Sequence, residues 1–115
     1  MKYMLLIYQN EAEFGKMSDA EKGKVYQEYG PFTESISKSG HYQAGHGLQP
    51  TSTATTVRVR NGKRLVTDGP FAETKEQVAG YYLIEAKNLD DAIAIAARVP
   101  SAAFGSVEVR PVIEM

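Results

Sequence analysis

The sequence contains no cysteine. That excludes disulfides, thiolate nucleophiles and cysteine-ligated zinc or iron–sulfur sites, and it fits a reducing compartment. Neither sign of charge is in surplus: 13 Lys and Arg against 14 Asp and Glu leave a formal charge of −1. There is accordingly no net pull toward nucleic acid, although a local basic patch is compatible with this balance. No apolar run approaches the ~20 residues that a membrane-spanning helix needs. The opening Met1-Lys2-Tyr3-Met4-Leu5-Leu6-Ile7-Tyr8 places a charge before a short apolar run, as a signal peptide does. It is too short, lacks a small-residue cleavage site and passes straight into Gln9-Asn10-Glu11, so it reads as a strand. A phosphate-binding loop, a nucleophile elbow and a zinc motif are all missing. The expectation is a cytoplasmic protein with no cofactor, no metal, no membrane contact and no direct nucleic-acid binding.

What is present is ordinary for a globular chain. With 43% hydrophobic and 23% charged residues, global disorder is excluded. A chain of 115 residues buries about 65% of its unfolded surface and folds without staples. No internal repeat or linker divides it, so a single domain over 1–115 is expected.

Residues 3–8 are apolar at both alternating sets of positions, the pattern of a central strand covered on both faces. After a polar loop, Ser18 and Glu21 form a capping-box signature, and Val25, Tyr29, Phe32 and Ile36 recur at helical spacing up to a stop at Gly40. Gly30-Pro31 inside this helix removes a backbone donor and predicts a kink. Residues 41–48 read as a strand whose glycines at 45 and 47 mark a bulge or a close backbone approach. Residues 55–60 and 63–67 flank Asn61-Gly62, a two-residue hairpin signal whose central positions need positive φ. A further strand is expected over 80–86, and then a helix capped by Asn88 with Leu89, Ala92, Ile93, Ala96 and Val99 on its buried face. The last strand, 106–113, puts Val107, Val109 and Ile113 on one side, and Pro111 marks it as an edge or a frayed end.

The order strand, helix, hairpin strands, strand, helix, strand fits an α+β ferredoxin-like sandwich of the dimeric α+β barrel type with an additional β-hairpin. Two helices cover one face of such a sheet. The apolar second face of residues 3–8 and 81–86 therefore calls for a cover, and the simplest is the same face of a second subunit, giving a sheet-to-sheet homodimer.

Several stretches together carry a family resemblance: residues 1–8, Ala54-Thr55-Thr56-Val57-Arg58, Val66-Thr67-Asp68-Gly69-Pro70-Phe71-Ala72-Glu73-Thr74-Lys75-Glu76-Gln77, and Val107-Glu108-Val109-Arg110-Pro111. The chain resembles the DGPF proteins of the YCII-related superfamily over nearly its whole length. The resemblance implies a dimeric ferredoxin-like fold, a cleft lined by polar residues, and in some members chemistry on small ring-cleavage or lactone compounds. It also implies a regulatory association with a sigma factor. Two departures stand out. Other YCII-like proteins carry a first-helix histidine proposed to pair with an aspartate, and residues 18–39 contain none, which leaves His46 as the nearest substitute. Ala79-Gly80 stands where a glycine pair is expected.

Asp68, at a strand end beside the Gly69-Pro70 turn, is the leading acid–base candidate, because such a position can hold a carboxylate rigidly and partly desolvated. The structural alternative is an aspartate that bonds turn amides. His46, between two glycines, could relay a proton near neutral pH or simply be a solvated strand histidine. Its odd spacing from His41 sends the two to opposite faces of an unbulged strand, against a shared metal site. Arg58 and Arg110 could hold an anionic group, although the alternation of Arg58 and Arg60 with Val57 and Val59 also describes a solvated face. Phe71 and Tyr82 complete the substrate-binding candidates, Tyr82 having a core or interface role as its alternative. The leading expectation is a small cofactor-independent enzyme acting by acid–base catalysis on a small organic acid or lactone. The alternative is a non-catalytic dimeric binding or regulatory module, a sigma-factor partner among its forms.

Overall fold

The computed structural model describes residues 1–114. Strand β1 (Lys2–Gln9) lies inside a four-stranded sheet of order β2-β5-β1-β6, formed with β2 (Tyr42–Gly47), β5 (Gln77–Glu85) and β6 (Ser106–Pro111). All its pairings are antiparallel. Among the described residues the remaining strands, β3 (Thr55–Arg60) and β4 (Lys63–Asp68), pair only with each other. Three helices complete the fold: α1 (Glu11–Gly15), α2 (Asp19–Lys38) and α3 (Leu89–Ala96). This is the ferredoxin-like α+β arrangement with an inserted hairpin.

The core follows from the period of two along the strands. Tyr3, Leu5 and Ile7 of β1 stand opposite Ile84, Tyr82 and Gly80 of β5, and this face meets Phe32 and Ile36 of α2 and Ala92, Ile95, Ala96 and Val99 around α3. The other face carries Met4, Leu6 and Tyr8, only partly buried, against Leu83, Tyr81 and Val78. Both helix starts carry the expected caps. Ser18 accepts from the Glu21 amide while Glu21 accepts from the Ser18 amide, each at 3.1 Å, and Asn88 accepts from the Asp91 amide at 2.9 Å. The hairpin turn has φ of 53° at Asn61 and 74° at Gly62, as a two-residue turn of this type demands.

Several expectations need correction. The polar loop after β1 contains the short helix α1, started by Asn10, whose side chain accepts from the Glu13 amide at 3.0 Å. On α3 the buried residues are Ala92, Ile95 and Ala96, and Val99 just beyond its end continues the same side. Leu89 and Ile93 are about half exposed, because a stripe through Ile95 turns both of them away from the sheet. Strand β5 begins at Gln77, three residues earlier than expected. Strand β6 ends at Pro111, which leaves Ile113 exposed. Among the described residues, no helix is long and apolar enough to cross a membrane.

Candidate functional site

The main concavity is a cleft of about 360 Å³ between the helix-facing side of the sheet and helices α1 and α2. It exists because β2 is stripped of bulk. A Cβ at Gly45 would stand 2.7 Å from Cδ1 and 2.9 Å from Cε1 of Tyr82, so glycine is what lets that ring lie over the β2 backbone. Gly47, two residues on, has open space where a side chain would be. Ring stacking walls the site: Tyr29 and Tyr82 are nearly parallel with centroids 6.5 Å apart, and Tyr42 and Phe32 meet Tyr82 edge-on at 6.1 and 5.3 Å.

The polar side chains around the cleft are hydroxyls, the Gln9 amide and, at its border, His46. Tyr82 Oη shares a 2.6 Å hydrogen bond with Thr33 Oγ1. Ser101 Oγ lies 2.6 Å from Tyr29 Oη and 3.4 Å from Gln9 Oε1, to which it donates. Burial pushes both phenols above the ordinary tyrosine range, an effect partly offset by Ser101 at Tyr29 and by Thr33 at Tyr82. No Asp, Glu, Lys or Arg among the described residues lines this cleft. It offers aromatic faces and neutral hydrogen-bond partners.

The uncovered face of the sheet carries a different chemistry. The pairings of His46 with Tyr81 and of Leu6 with Tyr81 and Glu108 place His46, Tyr81, Leu6 and Glu108 in one row across it. His46 Nδ1 and Tyr81 Oη are 2.9 Å apart. At the opposite edge Glu108 accepts from Tyr8 Oη at 3.1 Å and from the Arg110 guanidinium. Arg110 first, and then Tyr8, hold the Glu108 carboxyl below its usual range, while burial followed by Glu108 raises the Tyr8 phenol. Polar pairs thus flank an apolar strip of Met4, Leu6 and Leu83.

The candidates named from the sequence fall into three places. Tyr82 lines the cleft, and His46 borders it while its register directs the imidazole to the opposite face. Arg110 is on that opposite face, paired with Glu108. Asp68, Arg58 and Phe71 belong to the hairpin and the turn that leaves it, apart from the cleft. Asp68 is exposed, and its carboxylate makes no hydrogen bond or ion pair among the described residues. The turn is held by other groups. The Gly69 amide donates to Ala54 O and Thr56 Oγ1 donates to Gly69 O, both at 2.7 Å, with Gly69 at φ +95°. Phe71 is 78% exposed.

Two features escaped sequence reasoning. The Glu11 carboxylate accepts from the Thr51 amide at 2.9 Å and from Thr51 Oγ1 at 2.8 Å, fastening α1 to the segment that leads into β3. His41 Nε2 is 3.0 Å from Asp91 Oδ2, and its Nδ1 is 2.7 Å from Ser39 Oγ, beside a second, more open groove of about 340 Å³. The Lys87 amide, and after it His41, hold the Asp91 carboxyl below its usual range. An Asp at the third position after the Asn88 cap was a visible signal for the Lys87 contact. The His41 contact spans 50 residues and had no local signal.

Taken together, the topology and the helix–sheet cleft define a ferredoxin-like α+β domain built around a small internal concavity. The YCII-related domain matches residues 1–115. An uncharacterized protein of Rhizobium meliloti (strain 1021) is 37% identical over 113 residues, covering 96% of this chain and 91% of that protein. The chain belongs to the YCII-related family.

Proposed function

We propose that this YCII-family chain is a homodimeric small-molecule-binding protein whose ligand enters the cleft between α2 and the sheet. The observation that carries this reading is the lining: a space of about 360 Å³, within the range of small-ligand pockets, walled by tyrosine rings with neutral hydroxyls at Thr33 and Ser101. Such a lining suits an uncharged, ring-bearing compound able to stack and to exchange hydrogen bonds with phenols. A small anion would have to be held elsewhere, by Arg58 on the hairpin or by an Arg110 released from Glu108.

The catalytic reading draws support from the His46–Tyr81 contact, a titratable pair on the uncovered sheet face. In that version His46 moves the proton on a small organic acid or lactone. Asp68 then contributes only if a second subunit carries its hairpin to the pair. The module without catalysis, with or without a sigma factor as partner, needs the cleft alone.

Gly47 supplies the test, since a larger side chain there meets open space and fills the cleft. In a thermal-shift screen of neutral ring compounds and small carboxylates, wild type is expected to respond to the neutral ring compounds. Gly47→Leu should stay folded and lose the response, and Asp68→Asn should keep it. A response to carboxylates alone, abolished by Asp68→Asn and untouched by Gly47→Leu, would reject the cleft and favour the hairpin acid.

A further inference from the structure

Among the described residues, the hairpin β3–β4 hydrogen-bonds to no other strand, and a two-stranded ribbon alone in water is marginal at best. Its register sorts the side chains into two faces. Val57, Val59 and Val66 share one with Thr55, Arg64 and Asp68, while Arg58, Arg60, Lys63 and Leu65 share the other with Thr56 and Thr67. The three valines are 58%, 62% and 56% exposed, although their alternation is that of a ribbon built to lie on an apolar surface. The hairpin also extends the molecule: the radius of gyration is 16.0 Å, against about 13 Å for a compact domain of this length.

Charge is divided along the same line. Residues 55–68 hold Arg58, Arg60, Lys63 and Arg64 against Asp68, a net +3, so the rest of a chain of net −1 carries −4. The hairpin of one copy and the body of another are therefore of opposite net charge. The chain also possesses an unpartnered apolar surface of matching kind, the sheet face of Met4, Leu6 and Leu83 with Glu108 at its edge.

We infer that the β3–β4 hairpin is an intersubunit arm, which lays its valine face, with Arg64 among the valines, against the uncovered sheet side of a second copy, while Arg58, Arg60 and Lys63 on its outer face add long-range attraction. This rests on the sheet-to-sheet homodimer and adds to it a segment reaching from each subunit onto the other. The Glu11–Thr51 contact anchors the root of the arm, so that it projects in a fixed direction.

Sedimentation velocity on wild type, Val57→Lys/Val66→Lys and Leu6→Lys separates the claims. The valines are exposed in the single chain, so the double variant should keep its far-ultraviolet circular dichroism. The arm requires a wild-type dimer that raised salt weakens, and dimerisation at least about tenfold weaker in the double variant. Amides of residues 55–68 should also exchange more slowly in concentrated than in dilute wild type. A wild-type dimer unchanged by Val57→Lys/Val66→Lys but broken by Leu6→Lys overturns the arm and leaves the sheet interface standing. A wild-type monomer at micromolar concentration overturns both.

Discussion

Replacing Gly45 by alanine should destabilise the protein by an amount that the surroundings of Tyr82 determine. The added Cβ would sit 2.7 and 2.9 Å from two carbons of the Tyr82 ring, where carbon atoms at optimal separation stand about 3.5–4.0 Å apart. The ring has little room to yield. Its hydroxyl is bonded to Thr33 at 2.6 Å, Phe32 meets it edge-on, and it is 8% exposed. Overpacking of this kind costs about 1–3 kcal/mol, and removing a glycine from the unfolded chain returns roughly 0.4–1 kcal/mol. A net loss of about 1–2 kcal/mol lowers the melting temperature by roughly 4–8 °C for each kcal/mol. Gly47→Ala is the internal control. It lies in the same strand with open space at its Cβ, so it should melt at or slightly above wild type. Thermal unfolding followed by circular dichroism measures all three proteins, with Gly45→Ala repeated in a Tyr82→Leu background, where the penalty should vanish. If Gly45→Ala and Gly47→Ala melt together, or if the penalty survives removal of the ring, the account of the cleft floor is wrong.

Tyr82→Phe should cost about 0.5–1.5 kcal/mol by chemical denaturation, the net worth of the bond to Thr33, and Thr33→Val in the same protein should add much less than it does alone. Asp91→Asn should show a pH signature. The folded carboxyl is held below its ordinary value of 3.8, first by the Lys87 amide and then by His41. Its contribution is therefore fully present above that value and is lost as pH falls through the folded pKa. Wild type should be the more stable protein at neutral pH, and the gap in melting temperature should close in acid below about pH 4. A gap that stays constant from neutral pH into acid would show that the ionised Asp91 carboxylate gains nothing from its contacts with the Lys87 amide and His41.

Much of the frame was legible because it is written in local rules. Ser18 with Glu21, Asn88 and Asn61-Gly62 each satisfy nearby backbone, and all three appear where their chemistry puts them. The doubly apolar β1 correctly announced a sheet with a second apolar face. The stripe of α3 was misassigned by neighbouring positions, since Leu89 and Ile93 fit a helical period as well as Ile95 does and only the docking angle decides among them. The cleft was less visible. Tyr29 reads as a periodic helix residue and Tyr82 as a strand residue and binding candidate, but nothing local says that their rings stack, or that Ser101, 72 residues from Tyr29, completes the wall. The glycines at 45 and 47 were the signal available. One accommodates a ring from β5 and the other leaves the open space beside it.

Asp68-Gly69-Pro70-Phe71 brings turn residues, an acid and an aromatic ring together in four positions. Gly69 explains the turn through its positive φ, and the Ala54 and Thr56 bonds hold it without help from the carboxylate. Asp68 and Phe71 are thus left exposed at the root of a hairpin that the fold of one chain does not cover.

The most direct test of the central claim is a heteronuclear NMR titration of the labelled protein with a small neutral phenol. The cleft reading predicts saturable shifts concentrated at Tyr29, Thr33, Gly45, Gly47 and Ser101, absent in Gly47→Leu. Shifts gathered instead on Arg58, Asp68 and Phe71, with the cleft residues unmoved, would contradict it.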